Sequence, residues 1–472
     1  MRVSLPQVLA ASMATVLVLA CSSDEIVYRD REPFNPPAEE ALGFLGYYND
    51  NERQTTCGNC HVGQQNDWVT TRHADAYATL AELPDAQEFC FNCHTTNDQG
   101  NAVQTAAGWK AVHDTIYHDV QCESCHGPGL DHVVNPDATQ PLATIRAGVE
   151  ETNGCGECHN GAHHPFVDEW EQSAHAQPLE QPASRAECIQ CHTGQGALQA
   201  WGIRAEYLEE EAPIGEHVGI TCAVCHDPHG SGNSAQLRFA IDVPSADQNL
   251  CMKCHHKRAE PETESATIRG PHSPEGPLLL GEGAGWFPPG FEPEIERIRG
   301  THGSEANPRL CATCHVNQYE VTDQLTGEFV FNSVGHLFIA IPCLDAQGVP
   351  STNQDCALPD RSFTACTASG CHGDEGAAQA AFITARDRIA ELVAEAEALL
   401  AAPAVAAELV LNDGVFTVAD GVWFNTQLAK IDGTSTHNPF LAENLMVSSI
   451  AALEDTYGVS AVTGVSLERQ IR

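Results

Sequence analysis

Cys57-Gly-Asn-Cys-His61 is the first of seven Cys-x-x-Cys-His segments that recur as far as His255. Subtracting the position at which each segment opens from the next gives steps of 33, 32, 33, 33, 34 and 29 residues. A period this regular is typical of repeated structural units. An eighth segment, Cys311 to His315, opens 60 residues after the seventh, which opens at Cys251.

The spacing of these residues predicts covalent haem attachment. Two thiols three positions apart lie on one side of a short helical turn, where they can form thioether bonds to the two vinyl groups of one porphyrin, and the adjacent imidazole can then bind the iron. A single copy could equally be a redox dithiol or half of a zinc site. Seven copies in register, with an eighth beyond them, indicate an array of c-type haems.

A ninth attachment site is predicted at Cys366-Thr-Ala-Ser-Gly-Cys371-His372. Its thiols are separated by four residues, a widened form that resembles variant attachment sites of multihaem cytochromes. The alternative is a disulfide, since subtracting Cys21 and the 16 motif cysteines from 21 leaves four, which allow three pairings. The His after Cys371 favours haem, and Cys343 with Cys356 then remain as a disulfide, which implies an oxidising compartment.

We number the motifs 1 to 9 in chain order and predict about nine haem c groups. The predicted attachment residues are Cys57, Cys60, Cys90, Cys93, Cys122, Cys125, Cys155, Cys158, Cys188, Cys191, Cys222, Cys225, Cys251, Cys254, Cys311, Cys314, Cys366 and Cys371. The motif histidines predicted to bind iron are His61, His94, His126, His159, His192, His226, His255, His315 and His372.

Each iron also needs a sixth ligand, and the spare histidines can supply it. The chain has 23 His, so 14 remain after the nine of the motifs, and every interval between motifs contains at least one. Of the four Met, only Met446 lies outside the leader and the motifs, so bis-His coordination with low reduction potentials is predicted. The predicted distal ligands are His73, His118, His132, His175, His217, His229, His272, His302, His336 and His437.

Five spare histidines must remain off the irons if every haem is bis-His. We expect His256, His163, His164 and one of the pair His113 and His118 to be among them. Chain order does not predict which spare His serves which iron, because such ligands often come from another repeat.

Several segments resemble bacterial multihaem c-type cytochromes, including the decahaem outer-membrane conduit proteins. These are Cys122-Glu-Ser-Cys-His126-Gly-Pro-Gly-Leu-Asp-His132, Cys222 to His229, Gly270-Pro-His272 and His437-Asn-Pro, while the segment from Trp68 to His73 is similar to the hydroxylamine-oxidoreductase-like group. Together they cover most of residues 43 to 457. The resemblance implies His132, His229, His272 and His437 as distal ligands, but it does not select one activity. The expected fold is mainly α with much irregular loop, a core of stacked haems and a C-terminal helical segment.

The N-terminus has the pattern of an exported lipoprotein. Residues 1–20 contain Arg2 and an apolar run from Val8 to Ala20 that is too short to span a bilayer, as in a signal peptide. Val18-Leu-Ala-Cys21 resembles a bacterial lipobox, and Ser22 resembles the signal for an outer membrane. Ordinary signal peptidase cleavage is the alternative. Residues 21–52 are then expected to form a lipid-anchored tether on the periplasmic or cell-surface side.

The remaining chain is expected to form a seven-haem repeat region (53–260), a two-haem region (261–372) with a loop insertion at 320–365, and a helical C-terminal region (373–472). One helix is predicted from Asp67 to Leu83. Two more are predicted at residues 383–402 and from Pro439 to Gly458. The last two should pack as a hairpin against the final haems, or else form a partner-binding coiled coil.

The net charge of −41 makes nucleic acid and anionic lipid poor partners. It is consistent with basic redox proteins or with cationic and metal-ion acceptors, although solubility alone would explain it equally. Other multihaem cytochromes and a second copy of the chain are further candidate partners. The preferred hypothesis is electron transfer through an outer-membrane-anchored conduit. The alternative is a multihaem oxidoreductase of a small nitrogen or sulfur compound with one open haem, for which motifs 8 and 9 are the candidates.

Overall fold

The motif-bearing part of the chain folds as short helices joined by irregular loops, as expected. The computed structural model describes residues 43–148, 153–161, 164–203, 217–295, 298–323, 326–368 and 370–471. The α-helices of this part are α1 (Val62–Trp68), α2 (Ala76–Ala81), α3 (Trp109–Val112), α4 (Glu123–His126), α5 (Leu130–Val134), α6 (Phe166–Gln172), α7 (Glu180–Ala183), α8 (Ala186–His192), α9 (Gly194–Ala200), α10 (Cys222–Cys225), α11 (Glu275–Leu280), α12 (Cys311–His315) and α13 (Thr364–Thr367).

Single 3-10 turns connect many of these helices. They cover Asp50–Glu52, Cys57–Asn59, His73–Asp75, Glu88–Asn92, Thr115–Tyr117, Cys155–Glu157, Ala174–Ala176, Ser234–Gln236, Cys251–Lys253, Thr301–Gly303 and Leu358–Asp360. In the part of the chain that the structure describes, we find no helix long and apolar enough to cross a bilayer.

In the described segments the β-structure consists of three antiparallel hairpins. They pair β1 (Tyr47–Asn49) with β2 (Gln54–Thr55), β3 (Tyr319–Thr322) with β4 (Phe329–Ser333), and β5 (Cys343–Leu344) with β6 (Pro350–Ser351). The last two lie in the expected loop insertion, and the predicted disulfide between Cys343 and Cys356 is formed there. The disulfide does not include Cys366 or Cys371, the two thiols of the widened motif 9.

The helix predicted from Asp67 to Leu83 is wrong as a single element, because tertiary hydrogen bonds replace its own. The His73 carbonyl accepts from the Val120 amide at 3.0 Å, and the Tyr77 amide donates to Asp119 Oδ1 at 2.8 Å. The helical bond from residue 77 to residue 73 is therefore lost, and the chain divides into α1, a 3-10 turn at His73 and α2. Trp68 and Leu80 are buried as predicted, whereas Leu83 is exposed.

The same arrangement recurs a hundred residues later. The Trp68 indole donates to the Val120 carbonyl at 3.0 Å, and the Trp170 indole donates to the Ile220 carbonyl at 2.8 Å. The Ile220 amide in turn donates to the His175 carbonyl at 2.7 Å, as the Val120 amide does to His73. Each Trp thus fixes a turn that carries a spare His. The two copies of the internal repeat share this set of hydrogen bonds.

Residues 43–52, the end of the expected tether, are instead part of the packed structure. Phe44 is fully buried, Tyr47 is 5% exposed, and the amides of Leu45 and Gly46 donate to the buried Glu123 carboxylate at 2.8–2.9 Å. Four large apolar side chains within five residues could have signalled this burial. The lipobox, the signal peptide and the tether before Gly43 lie outside the described residues.

The C-terminal part is a packed helical unit. Its helices are α14 (Glu375–Leu400), α15 (Pro403–Ala406), α16 (Val418–Ala429), α17 (Thr434–His437) and α18 (Pro439–Tyr457). The predicted cap is present on α18, where the Asn438 side chain accepts from the Leu441 amide at 3.0 Å. Helix α14 starts eight residues before the predicted residue 383, because Asp374 caps it through the Ala377 amide.

The predicted apolar face of α14 is buried in this unit. Its residues pack with Val422 of α16 and with Met446 and Ile450 of α18, so three long helices share one core rather than two; the residues of that face are Ile389, Leu392, Val393, Ala396 and Leu400. Burial there explains why Met446, which is 0% exposed, takes no part in the histidine clusters described next.

Candidate functional site

In at least five motifs the turn brings the His back beside the first Cys of its motif. In motif 1 the His61 amide donates to the Cys57 carbonyl at 3.0 Å, and the amides of His126, His159, His226 and His255 make the same bond at 2.8–3.1 Å. One helical turn therefore puts a thiol and an imidazole on one face, as haem attachment requires.

Among the described residues, eight of the nine motif histidines face a spare histidine. The ring centroids of these pairs are 6.1–6.4 Å apart. The pairs, written motif His first, are His61 with His132, His126 with His229, His159 with His73, His192 with His272, His226 with His336, His255 with His175, His315 with His437 and His372 with His302.

This spacing fits one iron atom between each pair. Metal to imidazole-nitrogen bonds are about 2 Å, so two rings on opposite sides of one metal have centroids roughly 6 Å apart. Direct ring stacking would bring the rings closer, and unrelated rings would not repeat one distance eight times. The donor set therefore suits six-coordinate haem iron.

Hydrogen bonds hold the second ring nitrogen of many of these histidines. Among motif histidines, His126 Nδ1 lies 2.6 Å from the Pro141 carbonyl, and among spare histidines His302 Nδ1 lies 2.7 Å from the Thr436 carbonyl. A carbonyl can only accept, so Nδ1 carries the proton and Nε2 is left for a metal. The same contact to a backbone carbonyl is made by His94, His132, His226, His315 and His336.

Burial keeps most of the paired imidazoles neutral. Desolvation, followed by the charge of nearby histidines, lowers the pKa of His159, His175 and His437 to about 4. Neutral imidazole is the form that binds a metal. His255 differs, because its hydrogen bond to Glu275 at 3.1 Å raises its pKa.

A buried carboxylate positions the loop that carries His336. Glu169, on α6, accepts from the Val334 amide at 3.0 Å through Oε1 and from the His336 amide at 2.6 Å through Oε2. Neither Glu169 nor Glu275 was predicted from sequence. No motif spacing points to them, because their partners lie 165 and 20 residues away in the chain.

Contacts between thiols of different motifs give the order of the motifs in space. Side chains are in contact between motifs 1 and 3, 2 and 4, 4 and 6, 5 and 7, and 7 and 8. The contacting pairs are Cys57 with Cys122, Cys93 with Cys158, Cys155 with Cys222, Cys191 with Cys254 and Cys251 with Cys311.

Three further neighbours complete this order. Thiols lie within electrostatic range between motifs 3 and 4, 6 and 7, and 8 and 9; they are Cys125 with Cys155, Cys225 with Cys251, and Cys314 with both Cys366 and Cys371. A continuous cavity of about 2310 Å³ is lined by thiols of motifs 4 to 9. The sequence of neighbours is thus 1, 3, 4, 6, 7, 8, 9, with motif 2 beside motif 4 and motif 5 beside motif 7.

Within the part of the chain that the structure describes, two predicted distal ligands are not brought to a motif histidine. The His118 ring lies parallel to Tyr77, with centroids 3.4 Å apart, and His217 Nδ1 is buried without a hydrogen-bond partner among the described residues. Of the histidines expected to lie off the irons, His256 Nδ1 bonds the Met252 carbonyl, and His163 is outside the described residues. Motifs 8 and 9, the sequence's candidates for an open haem, both have paired histidines.

Comparison with known proteins gives two family matches. Residues 56–127 match the family of cytochrome c554 and c-prime, and residues 213–260 match the doubled CXXCH motif. The first match contains motifs 1 to 3 and the second contains motifs 6 and 7. Both matches therefore fall on the attachment motifs.

Curated relatives are similar over part of their length. The chain is 26% identical over 204 residues to the multihaem cytochrome MtrA of Shewanella baltica, covering 38% of this chain and 55% of MtrA. It is 25% identical over 297 residues to the c-type polyhaem cytochrome OmcB of Geobacter sulfurreducens, covering 55% of this chain and 35% of OmcB. The chain therefore spans about half, or less, of the length of these relatives.

A solved structure shares the fold. The outer cell wall cytochrome OcwA superposes with a TM-score of 0.52 over 87% of this chain and 100% of OcwA, at 17% identity. The repeated motifs, the helix-and-loop fold and these matches together establish that the chain is a multihaem c-type cytochrome, with covalently bound haem c.

Proposed function

We propose that each of the nine motifs attaches one haem c through its two cysteines, with the motif His as one axial ligand. Eight irons take their second axial ligand from the paired spare histidines His73, His132, His175, His229, His272, His302, His336 and His437. Each haem iron, when bound, carries one electron by changing between its ferric and ferrous states. The repeated 6.1–6.4 Å spacing of the rings supports these assignments.

We further propose that the protein is an electron conduit, and the thiol contacts carry this proposal. A motif's cysteines hold one edge of its porphyrin, so contacting thiols of two motifs bring two porphyrin edges together. The contacts join motifs 1, 3, 4, 6, 7, 8 and 9 in one line, with motifs 2 and 5 as side branches. The task of the chain is then to orient, ligate and bury the haems.

The conduit is proposed to stand on the outer membrane, held by lipid on Cys21, on the periplasmic or cell-surface side. The lipobox-like sequence supports the anchor, and the structural neighbour OcwA is an outer cell wall cytochrome. Its partners are proposed to be redox proteins, other multihaem cytochromes or further copies of itself. Replacement of Cys21 by Ala should release the protein from membranes and abolish labelling by radioactive palmitate; continued labelling would contradict the anchor.

The line of motifs can be tested by removing one haem at a time. Motif 4 connects motifs 1, 2 and 3 to the rest, whereas motif 5 is an end branch. The variant Cys155→Ala/Cys158→Ala should therefore lose conduction across a monolayer of holoprotein between two electrodes.

The matched control, Cys188→Ala/Cys191→Ala, also loses one haem but should conduct like the wild type. Haem content and circular dichroism verify that both variants are folded and lack one haem. Equal conduction by the two variants would contradict the proposed path.

A further inference from the structure

Two positively charged residues lie beside motif 5, the end branch of the array. Lys257 and Arg258 follow closely after motif 7 in the chain and line the same cavity as the motif 5 thiols. Lys257 is within electrostatic range of Cys191 of motif 5 and of Cys254 of motif 7. Arg258 is within electrostatic range of His272, the spare histidine of motif 5. One cation therefore lies near the attachment thiols of motif 5, and the other lies near its distal histidine.

Hydrogen bonds of one loop hold Arg258 at this place. Its Nε donates to the Gly270 carbonyl at 2.5 Å, and its own carbonyl accepts from the His272 amide at 3.3 Å. A backbone carbonyl has no net charge, so the bond to Gly270 positions the guanidinium group without compensating its positive charge. Arg258 and His272 are thus kept together in one loop.

The carboxylates closest to this loop have partners of their own. Glu262, which is in range of Arg258, accepts from Arg269 Nη2 through both of its oxygens at 2.8 Å. Glu275, which is in range of His272, is hydrogen-bonded to His255 at 3.1 Å. A partly buried cation is stabilised by an anion in contact with it, and a porphyrin of the haem c type carries two propionate carboxylates.

We propose that Lys257 and Arg258 bind the propionate carboxylates of the haem at motif 5 and raise its reduction potential. This inference rests on the proposed function, since it requires a haem at motif 5. Negative carboxylates near an iron favour its ferric state, which has one more positive charge than the ferrous state, and pairing with cations weakens that preference. An electron that arrives from motif 7, whose Cys254 contacts Cys191, is then held more tightly at motif 5. Because motif 5 ends a branch, the electron is stored beside the main line.

Potentiometric titration of the holoprotein tests the pairing, once haem content and circular dichroism have been measured. Lys257→Gln should increase the preference of one haem for the ferric state about tenfold, and so lower one midpoint potential by about 60 mV. Lys257→Arg keeps the charge and should retain the wild-type potentials. The matched control is Lys430→Gln, which also removes one positive charge but lies in the C-terminal helices, paired with Glu397, and should leave every potential unchanged.

The two possible failures are distinguishable. Unchanged potentials in Lys257→Gln, with nine haems bound, would overturn this inference and leave the conduit standing. A holoprotein with fewer than nine haems would contradict the proposed function itself.

A background without the motif 5 haem assigns the shift. In Cys188→Ala/Cys191→Ala, the further change Lys257→Gln should leave the remaining potentials unchanged; if one still falls, the cation acts on another haem and the inference is wrong. Arg258→Gln should lower the same potential as Lys257→Gln, with the electron paramagnetic resonance spectrum of the wild type. A new high-spin signal in that variant would show that Arg258 acts by positioning His272, and would overturn its part in the pairing.

Discussion

Replacing Glu169 with Gln should open the haem of motif 6, although the hydrogen bond between Glu169 and His336 goes to the backbone amide and not to the imidazole ring. Glu169 accepts hydrogen bonds from the amides of Val334 and His336, at 3.0 and 2.6 Å, and so holds the loop from which His336 faces His226. Gln has the same shape but only one acceptor oxygen. One of the two amides would therefore meet an NH₂ group instead of an oxygen.

The size of the effect follows from the two bonds. A hydrogen bond to a charged group contributes about 1.5–3 kcal/mol, and a neutral one contributes about 1 kcal/mol. The substitution removes one charged bond and makes the other neutral, so the loop is destabilised by about 3 kcal/mol. Since 1.4 kcal/mol is a factor of ten, His336 should hold its position about 100-fold less strongly.

The assay is carbon monoxide binding to the reduced holoprotein, with electron paramagnetic resonance of the oxidised form. Glu169→Gln should bind one more carbon monoxide per molecule than the wild type, and one low-spin haem signal should become high-spin. Glu391→Gln, on the exposed face of α14, is the matched control and should behave like the wild type. If His336→Ala opens a haem but Glu169→Gln does not, the positioning role is refuted.

Three other substitutions or conditions should have measurable effects. Replacement of Arg388 by Met leaves its buried partner Glu443 without the ion pair at 2.8 Å, and should lower the free energy of unfolding of the C-terminal helices by about 3 kcal/mol, measured by denaturant titration with circular dichroism. Burial raises the pKa of Glu123 to about 7, so the folded protein retains a proton that the unfolded chain releases. The retained proton stabilises the folded state fully below pH about 4.5, and this stabilisation is lost as the pH rises through about 7. The loss amounts to about 3 kcal/mol in the free energy of unfolding, and Glu123→Gln should remove that part of its pH dependence. Glu275→Gln weakens the electron donation of His255 to iron, and should raise one haem potential by about 60 mV for each tenfold loss of preference for the ferric state, measured by potentiometric titration; an unchanged set of potentials would contradict this.

The repeated motifs and the capped helices could be predicted from sequence because they depend on neighbours in the chain. The apolar face of α14 and the Asn438 cap are examples of such local information. Helix α16 was missed, although Thr417 and Asp420 form a capping box that marks its start.

Which spare His faces which motif could not be predicted, because that depends on contacts between distant segments. His73 follows motif 1 but faces His159 of motif 4, and His229 follows motif 6 but faces His126 of motif 3. The broken helix has the same cause, since Asp119 takes the Tyr77 amide from across the fold. The sequence therefore identifies the histidines of the site but does not predict which of them face each other.

The crossed histidine pairs also bear on biogenesis. His315 of motif 8 faces His437, which lies 122 residues later, and His372 of motif 9 faces His302 from the preceding interval. A nascent chain that has not yet been made as far as His437 lacks the histidine that faces motif 8. The motif thiols are therefore expected to be accessible for haem attachment before all the histidine pairs have formed. Maturation should therefore finish at the C-terminus, and a chain truncated before α17 should be recognised as incomplete by proteases of the compartment in which it is assembled.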